Sequence, residues 1–235
     1  MNITHAVKEE VNGDMLEAIF NRQKELMLKY HDIELRSGLM QTPDCPVNLD
    51  DKRGQSRIKD FAWRITEELG EALDAVADYE HYTEEMIDGL HFLTELSILS
   101  GINPDDIISN VIEYLKHSEN DGFIGANILY KFDGPIESDK LHFICNMAYE
   151  IYEEYDSGKR VKEFIMHLGM MCNCLKNKPW KQSNMKTDKK AFYERLGMVW
   201  LSYLSIIITD VKPDDICEIY LKKSQVNKFR QRSNY

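Results

Sequence analysis

The sequence predicts an all-α protein, a helical bundle built from two repeated helical halves. Glycine and proline are scarce, with 12 and 6 among 235 residues, and apolar residues recur at intervals of three and four along most of the chain. An internal repeat adds to this: Leu96-Ser97-Ile98, then Pro104-Asp105-Asp106-Ile107, recurs as Leu204-Ser205-Ile206, then Pro213-Asp214-Asp215-Ile216. Each copy runs on to a Tyr-Leu-Lys-x-Ser segment, beginning at Tyr114 and Tyr220. Pro-Asp-Asp is a common helix start, but the series of matches favours duplication of a helical hairpin.

Helices are predicted in order from this periodicity and from capping residues. Residues 14–30 form an amphipathic helix, and residues 31–56, with their prolines, glycines and charges, form a loop. Helices follow at 57–79, from Thr83 as N-cap to Ser100, and from Pro104 with Asn103 as cap. After a long loop over 119–138, helices are predicted at about 138–156, 159–177, 188–209 and 213–230. We expect one domain over residues 1–235, with a more mobile inserted part around 119–180.

Composition limits the function classes. A formal net charge of −11 argues against a nucleic-acid groove, which needs a basic stripe, but it allows a small polyphosphate held through metal ions. The chain has no apolar run long enough for a membrane span, and the N-terminus lacks a signal-peptide pattern. Five cysteines without framework spacing predict free thiols in a reducing cytoplasm.

Two pairs of acids carry the chemistry. Glu68 and Glu71 stand three residues apart, as do Glu85 and Asp88, so each pair shares a helix face one turn apart. Antiparallel helices joined by a short linker can aim both pairs into one gap. Such pairs also occur on solvated helix faces, which is the main alternative for either pair alone. Facing carboxylates repel unless cations compensate them, and Mg²⁺ prefers oxygen ligands.

At these residues the chain resembles the dimeric all-α dUTPases and the phage dCTP pyrophosphatases, relatives of the MazG-type enzymes. Their signature is Glu-x-x-Glu followed by Glu-x-x-Asp and His-Phe. Here it is Glu68-Leu-Gly-Glu71, then Glu85-Met-Ile-Asp88, then His91-Phe92. The C-terminal segment from Lys223 to Tyr235 resembles the family's Lys-Asn-x-x-Asn-x-x-Arg-Gln-x-x-Gly-Tyr.

The resemblance implies Mg²⁺-dependent hydrolysis of a pyrimidine deoxynucleoside triphosphate to its monophosphate and pyrophosphate. The four acids would bind Mg²⁺, with Glu68 activating the attacking water. Gln23 interrupts the apolar face of the first helix, where a buried amide needs partners, and the family uses a Gln there for base contact. Phe92 would pack on the deoxyribose. The remaining expected substrate-binding residues are His91, Lys223, Asn227, Arg230, Gln231 and Tyr235.

The chain departs from the family in three places. Met27 stands where the dUTPases have an Asn, which leaves the base open. No Trp-Lys stretch lies between the acid motifs, and Lys223 is followed by Ser224. We expect dUTP as substrate, with dCTP or a modified pyrimidine nucleotide as the alternative. The resemblance also implies a homodimer.

Two other functions compete with the hydrolase. A di-iron carboxylate bundle needs Glu-x-x-His on two helices, which the chain lacks, although Asp88-Gly-Leu-His91 comes near. A non-catalytic helical binding protein descended from the enzyme is a further alternative, against which the complete set of acids argues.

Overall fold

Eight α-helices form the regular structure of the described residues, together with one short 3₁₀ turn, and no strand occurs among them. The computed structural model describes residues 3–118, 131–132, 139–178 and 180–232. The helices are α1 (Met15–Ser37), α2 (Lys52–Asp74), α3 (Tyr79–Leu99), α4 (Pro104–Ser118), α5 (Lys140–Tyr152), α6 (Ser157–Cys174), α7 (Lys189–Ile207) and α8 (Pro213–Arg232). The all-α prediction is confirmed.

The chain divides into two compact units. The first contains α1, α3, α8 and all of α2 except its first residue. In it, α1 packs on α3 and α8, and α3 packs on α8. Its core is apolar and includes the fully buried Phe20, Ile58 and Phe61. This unit holds all the acids of the predicted metal site.

The second unit contains α4 to α7 and the segment Leu49–Lys52. In it, α7 packs against α4, α5 and α6, and its largest buried side chains are Trp200, Tyr203, Phe164 and Phe192. The expectation of a single domain stays an expectation. Most of the predicted 119–138 loop lies outside the described residues.

The helix ends follow the expected capping chemistry at α4. The Asn103 backbone N–H donates to Asp106 Oδ2 at 2.9 Å, and the Asp106 N–H donates to Asn103 Oδ1 at 3.1 Å. This reciprocal pair satisfies amides that have no partner within the helix. Gly101, after α3, adopts φ +82°, which favours glycine.

Several predicted helix boundaries were wrong, among them the end of α2, which is Asp74 and not residue 79. Helix α3 starts four residues before Thr83, because Asp78 is its N-cap and accepts from the His81 N–H at 3.2 Å. Helix α1 continues to Ser37 and ends at Gly38, where φ is +71°. Glu34, Leu35 and Arg36 are good helix formers, so the loop predicted from residue 31 starts too early.

Helix α2 begins five residues earlier than predicted, because Gly54 is part of it. An ideal Cβ at Gly54 would lie 2.2 Å from the Asn48 carbonyl oxygen, so this glycine permits a close backbone approach. It does not mark a loop. Among the described residues, no helix combines the length and apolar character needed to cross a bilayer.

Candidate metal and substrate site

The candidate site starts with the acid on α2. The buried face of α2 is apolar, with Ile65 and Leu69 among its members, and Glu68 lies half-buried at the edge of this face. Glu71, one turn further along, is exposed. The two acids therefore share a side of the helix, as predicted, but they differ in depth.

Helix α3 supplies the other acids. Glu85 and Asp88 are half-buried. One carboxylate oxygen from each of Glu68, Glu85 and Asp88 lies within 4.8 Å of the other two. Three ligand oxygens at this separation suit one hard divalent cation, with positions left over for water and phosphate oxygens. Glu71 is not a member of this three-oxygen group.

The neighbouring acids and burial act on the pKa of Glu68. Burial raises the pKa of Glu68, and the neighbouring carboxylates, Asp88 and Glu85 foremost, raise it further. Glu68 and Glu85 also share a side-chain hydrogen bond that favours the protonated form of Glu68. A cation at this position would relieve the same repulsion that the proton relieves, so the donor set fits Mg²⁺.

Lys223 on α8 faces the acids. Its ammonium lies 2.8 Å from Asp88 Oδ2 and 3.2 Å from Glu84 Oε2, and the residue is buried. Burial alone would lower the pKa of Lys223, but the Asp88 and Glu84 carboxylates outweigh it and the pKa is raised. A fixed, charged donor therefore stands beside the candidate metal position, where phosphate oxygens would lie.

A cavity of about 250 Å³ opens beside the acids and belongs to the first unit. Six of the predicted site residues line it: Gln23, Glu68, Asp88, His91, Phe92 and Asn227. Such a volume is near the lower end of small-molecule sites. The structure thus brings residues from α1, α2, α3 and α8 to one cavity.

Both ends of the Gln23 side-chain amide have a hydrogen-bond partner on another side chain. Its amide nitrogen donates to Glu95 Oε2 at 2.8 Å, and its amide oxygen accepts from the Tyr220 hydroxyl at 2.7 Å. The buried amide therefore binds residues of α3 and α8, and Gln23 also lines the cavity. These two bonds fix which end of the amide points toward Glu95.

The two residues of the His-Phe motif differ in role. The His91 ring stacks on Tyr220 with centroids 3.8 Å apart, and its Nδ1 lies 2.9 Å from the Ile87 carbonyl oxygen, to which it donates. Burial lowers the pKa of His91 to about 4, so the ring is neutral near pH 7. Phe92 meets Phe61 edge-on at 6.0 Å and faces the cavity.

Two other predicted substrate-binding residues, Lys223 and Arg230, do not line this cavity. Arg230 is exposed. The Gln231 side chain and the whole of Tyr235 lie outside the part of the chain that the structure describes.

Several lining residues were missed, above all Glu95, Glu34 and Arg64. Glu34 accepts from Arg57 at 2.8 Å and from Arg64 at 3.3 Å, so its charge is compensated. Glu95 is 6% exposed and interrupts an apolar stretch of α3. A polar residue within an apolar helix face was the same feature that identified Gln23.

A second cavity of about 290 Å³ adjoins these residues in the same unit. Glu34 and Glu95 line both cavities. The second one is mainly apolar and includes Met27, Ile98 and Leu99. Met27, the residue that departs from the family pattern, therefore lines a different cavity from Gln23.

No known protein family, curated protein or solved structure matches the chain.

Proposed function

We propose that this chain is a Mg²⁺-dependent pyrophosphohydrolase of pyrimidine deoxynucleoside triphosphates. The observation that carries the proposal is the convergence of three carboxylates from α2 and α3 at one side of a cavity. The same cavity is lined by a buried amide and an aromatic ring, groups that suit a base and a sugar. The type of reaction is inferred from the resemblance of the acid motifs to those of the all-α dUTPases and phage dCTP pyrophosphatases.

Glu68, Glu85 and Asp88 would hold the metal, and Glu71 would be a fourth ligand that reaches inward when the metal binds. Bound Mg²⁺ supplies countercharge to the phosphates and polarises the phosphorus centre. Glu68 takes the proton of the attacking water on a carboxylate oxygen. The water oxygen bonds to the α-phosphorus while the bond to the oxygen bridging toward the β-phosphorus breaks, which yields monophosphate and pyrophosphate.

The charged and polar groups of α8 would bind the phosphates. Lys223 is already held beside the acids, and Asn227, one turn further on, lines the cavity. Arg230 would bind the phosphates with Lys223 and Asn227, Gln231 would also contact the substrate, and Tyr235 would close over the phosphates. Phe92 would pack against the deoxyribose.

The substrate base has two candidates. The resemblance favours dUTP. The buried carboxylate of Glu95 on the cavity wall favours dCTP, as argued below. A homodimer and a cytoplasmic setting belong to the proposal as well, and the free state of all five cysteines supports the second.

A substrate panel tests the proposal. Purified protein is incubated with Mg²⁺ and separately with dUTP, dCTP, dUDP, dTTP and dATP, with a parallel series in EDTA, and products are resolved by anion-exchange chromatography. We expect monophosphate and pyrophosphate in equal amounts from a pyrimidine nucleotide, and no products in EDTA. Release of orthophosphate from a triphosphate would contradict the proposed bond cleavage, whereas the same cleavage of dUDP would give dUMP and orthophosphate. Absence of turnover with every nucleotide would favour the non-catalytic binding protein.

A further inference from the structure

Glu95 is a buried acid that forms no ion pair among the described residues, although Arg57 and Arg64 favour its charged form from a longer distance. It is 6% exposed on α3, and among the described residues its hydrogen-bond partner is the Gln23 amide. Glu34, which lines the same two cavities, has ion pairs with Arg57 and Arg64. A buried carboxylate without a cation costs free energy. Its position on the cavity wall offers a reason for keeping it.

The hydrogen bonds around Gln23 set the polarity of this wall. Because Tyr220 donates to the Gln23 oxygen, the Gln23 nitrogen must face Glu95, and it donates to Oε2. One Glu95 oxygen is thus used within the protein. An ionised carboxylate has only acceptors, so the second oxygen can bind only a donor.

We infer that Glu95 reads the base of the substrate and selects a 4-aminopyrimidine, the cytosine ring, over a 4-oxopyrimidine. This inference rests on the proposed function and names the substrate class of that site. The exocyclic amine of cytosine donates to the free Glu95 oxygen, whereas uracil has a carbonyl oxygen at the same ring position. Two acceptors facing each other in a buried site leave both without a partner.

Discrimination of this kind can be large. A site built to hydrogen-bond one group rejects an analogue that lacks it far more strongly than an apolar pocket rejects a change of size. Burial raises the pKa of Glu95 to about 7. At about one pH unit above that value the carboxylate form of Glu95 predominates. The kinetic constants for dCTP and dUTP are therefore compared at that pH.

Glu95→Gln inverts the hydrogen-bonding character of this wall with little change in shape. Its amide oxygen would still accept from Gln23, and its amide nitrogen would replace the free carboxylate oxygen with a donor. The variant should therefore gain the 4-oxo base and lose the 4-amino base.

The test measures kcat/KM for dCTP and dUTP with wild type and Glu95→Gln. We expect wild type to prefer dCTP by at least about tenfold, and Glu95→Gln to lower the dCTP-to-dUTP ratio by about tenfold or more. Glu34→Gln is the matched control. It removes an acid lining the same cavities, and it should leave the ratio within about twofold.

Each other outcome has a defined meaning. A wild type that prefers dUTP, or a ratio unchanged in Glu95→Gln, overturns the inference while the proposed function stands. Turnover of no nucleotide by wild type overturns the proposed function itself. If Glu95→Gln does not fold, Glu95→Asp is the second variant. Its shorter side chain keeps a carboxylate acceptor but moves it away from the base, so it should reduce dCTP turnover more than dUTP turnover.

Discussion

Each of the two units contains a similar pair of packed helices, but the side chains on those helices differ. In the first, α3 packs on α8; in the second, α7 packs on α4. Both α4 and α8 begin Pro-Asp-Asp and run on to Tyr-Leu-Lys-x-Ser. The residue at x is Lys223 in one copy and His117 in the other. Lys223 lies against Asp88, and His117 lies 3.3 Å from Glu194 on α7.

The difference lies in the long central helices. Alignment of Leu96-Ser97-Ile98 with Leu204-Ser205-Ile206 places Leu196 opposite Asp88 and Tyr203 opposite Glu95. Leu196 and Tyr203 are both fully buried, and Tyr203 packs against Phe164 with centroids 5.0 Å apart. Similar pairs of helices thus carry acids beside a cavity in the first unit and buried apolar side chains in the second. The duplication itself stays a prediction.

The largest expected effect comes from removing the acid that one unit has and the other lacks. Asp88→Asn should reduce turnover of the preferred nucleotide by at least about a hundredfold, because a metal ligand and a partner of Lys223 are lost together. The helical content should remain, since Glu84 still pairs with Lys223. Steady-state assays and circular dichroism measure the two effects.

Glu194→Gln is the matched control for Asp88→Asn. Glu194 is a half-buried acid on α7 that faces a basic residue of the neighbouring helix, as Asp88 does, but it lies in the other unit. Its substitution should leave turnover within about twofold of wild type. Equal losses in the two variants would refute the assignment of the metal site to the first unit.

The sequence predicted the helices and the acid cluster because both follow from local spacing. Periodicity at three and four residues identifies a buried helix face, and acids three apart share one side of a helix. Spacing does not give depth, however. Glu68 and Glu71 look equivalent in sequence, yet only Glu68 contributes to the three-oxygen group with Glu85 and Asp88 of α3.

The remaining features depend on contacts between distant segments. Gly54 resembled a loop residue because the nearby Asn48 carbonyl is a tertiary contact. The role of Tyr220 as donor to Gln23 joins residues 197 positions apart. Glu95 could have been found, since it is the one acid of α3 after Asp88, but its burial beside Gln23 is visible only in three dimensions.

Glu95 should also make the first unit sensitive to pH. Because burial raises its pKa from 4.5 to about 7, the folded state holds a proton that the unfolded state releases. The stability from this group is fully present below the unfolded pKa, and it declines as pH rises toward the folded pKa. The decline should total up to about 3 kcal/mol.

Urea denaturation of wild type and Glu95→Gln at about pH 5 and about pH 8 measures this contribution. The free energy of unfolding of Glu95→Gln relative to wild type should rise between the two pH values. A difference that does not change with pH would mean that Glu95 is not buried as an acid.

The smallest expected effect concerns the close approach of α4 and α7 in the second unit. An ideal Cβ at Gly197 would lie 2.9 Å from the Val111 backbone nitrogen, and backbone cannot move aside cheaply. Gly197→Ala should therefore destabilise the protein by about 1–3 kcal/mol, despite the better helix propensity of alanine. Gly169→Ala on α6 is the control, because a Cβ there meets nothing within 4 Å, and it should stabilise by up to about 1 kcal/mol. Urea titration of both variants should give opposite signs, and a Gly197→Ala variant as stable as wild type would show that α4 and α7 are not in contact at this residue.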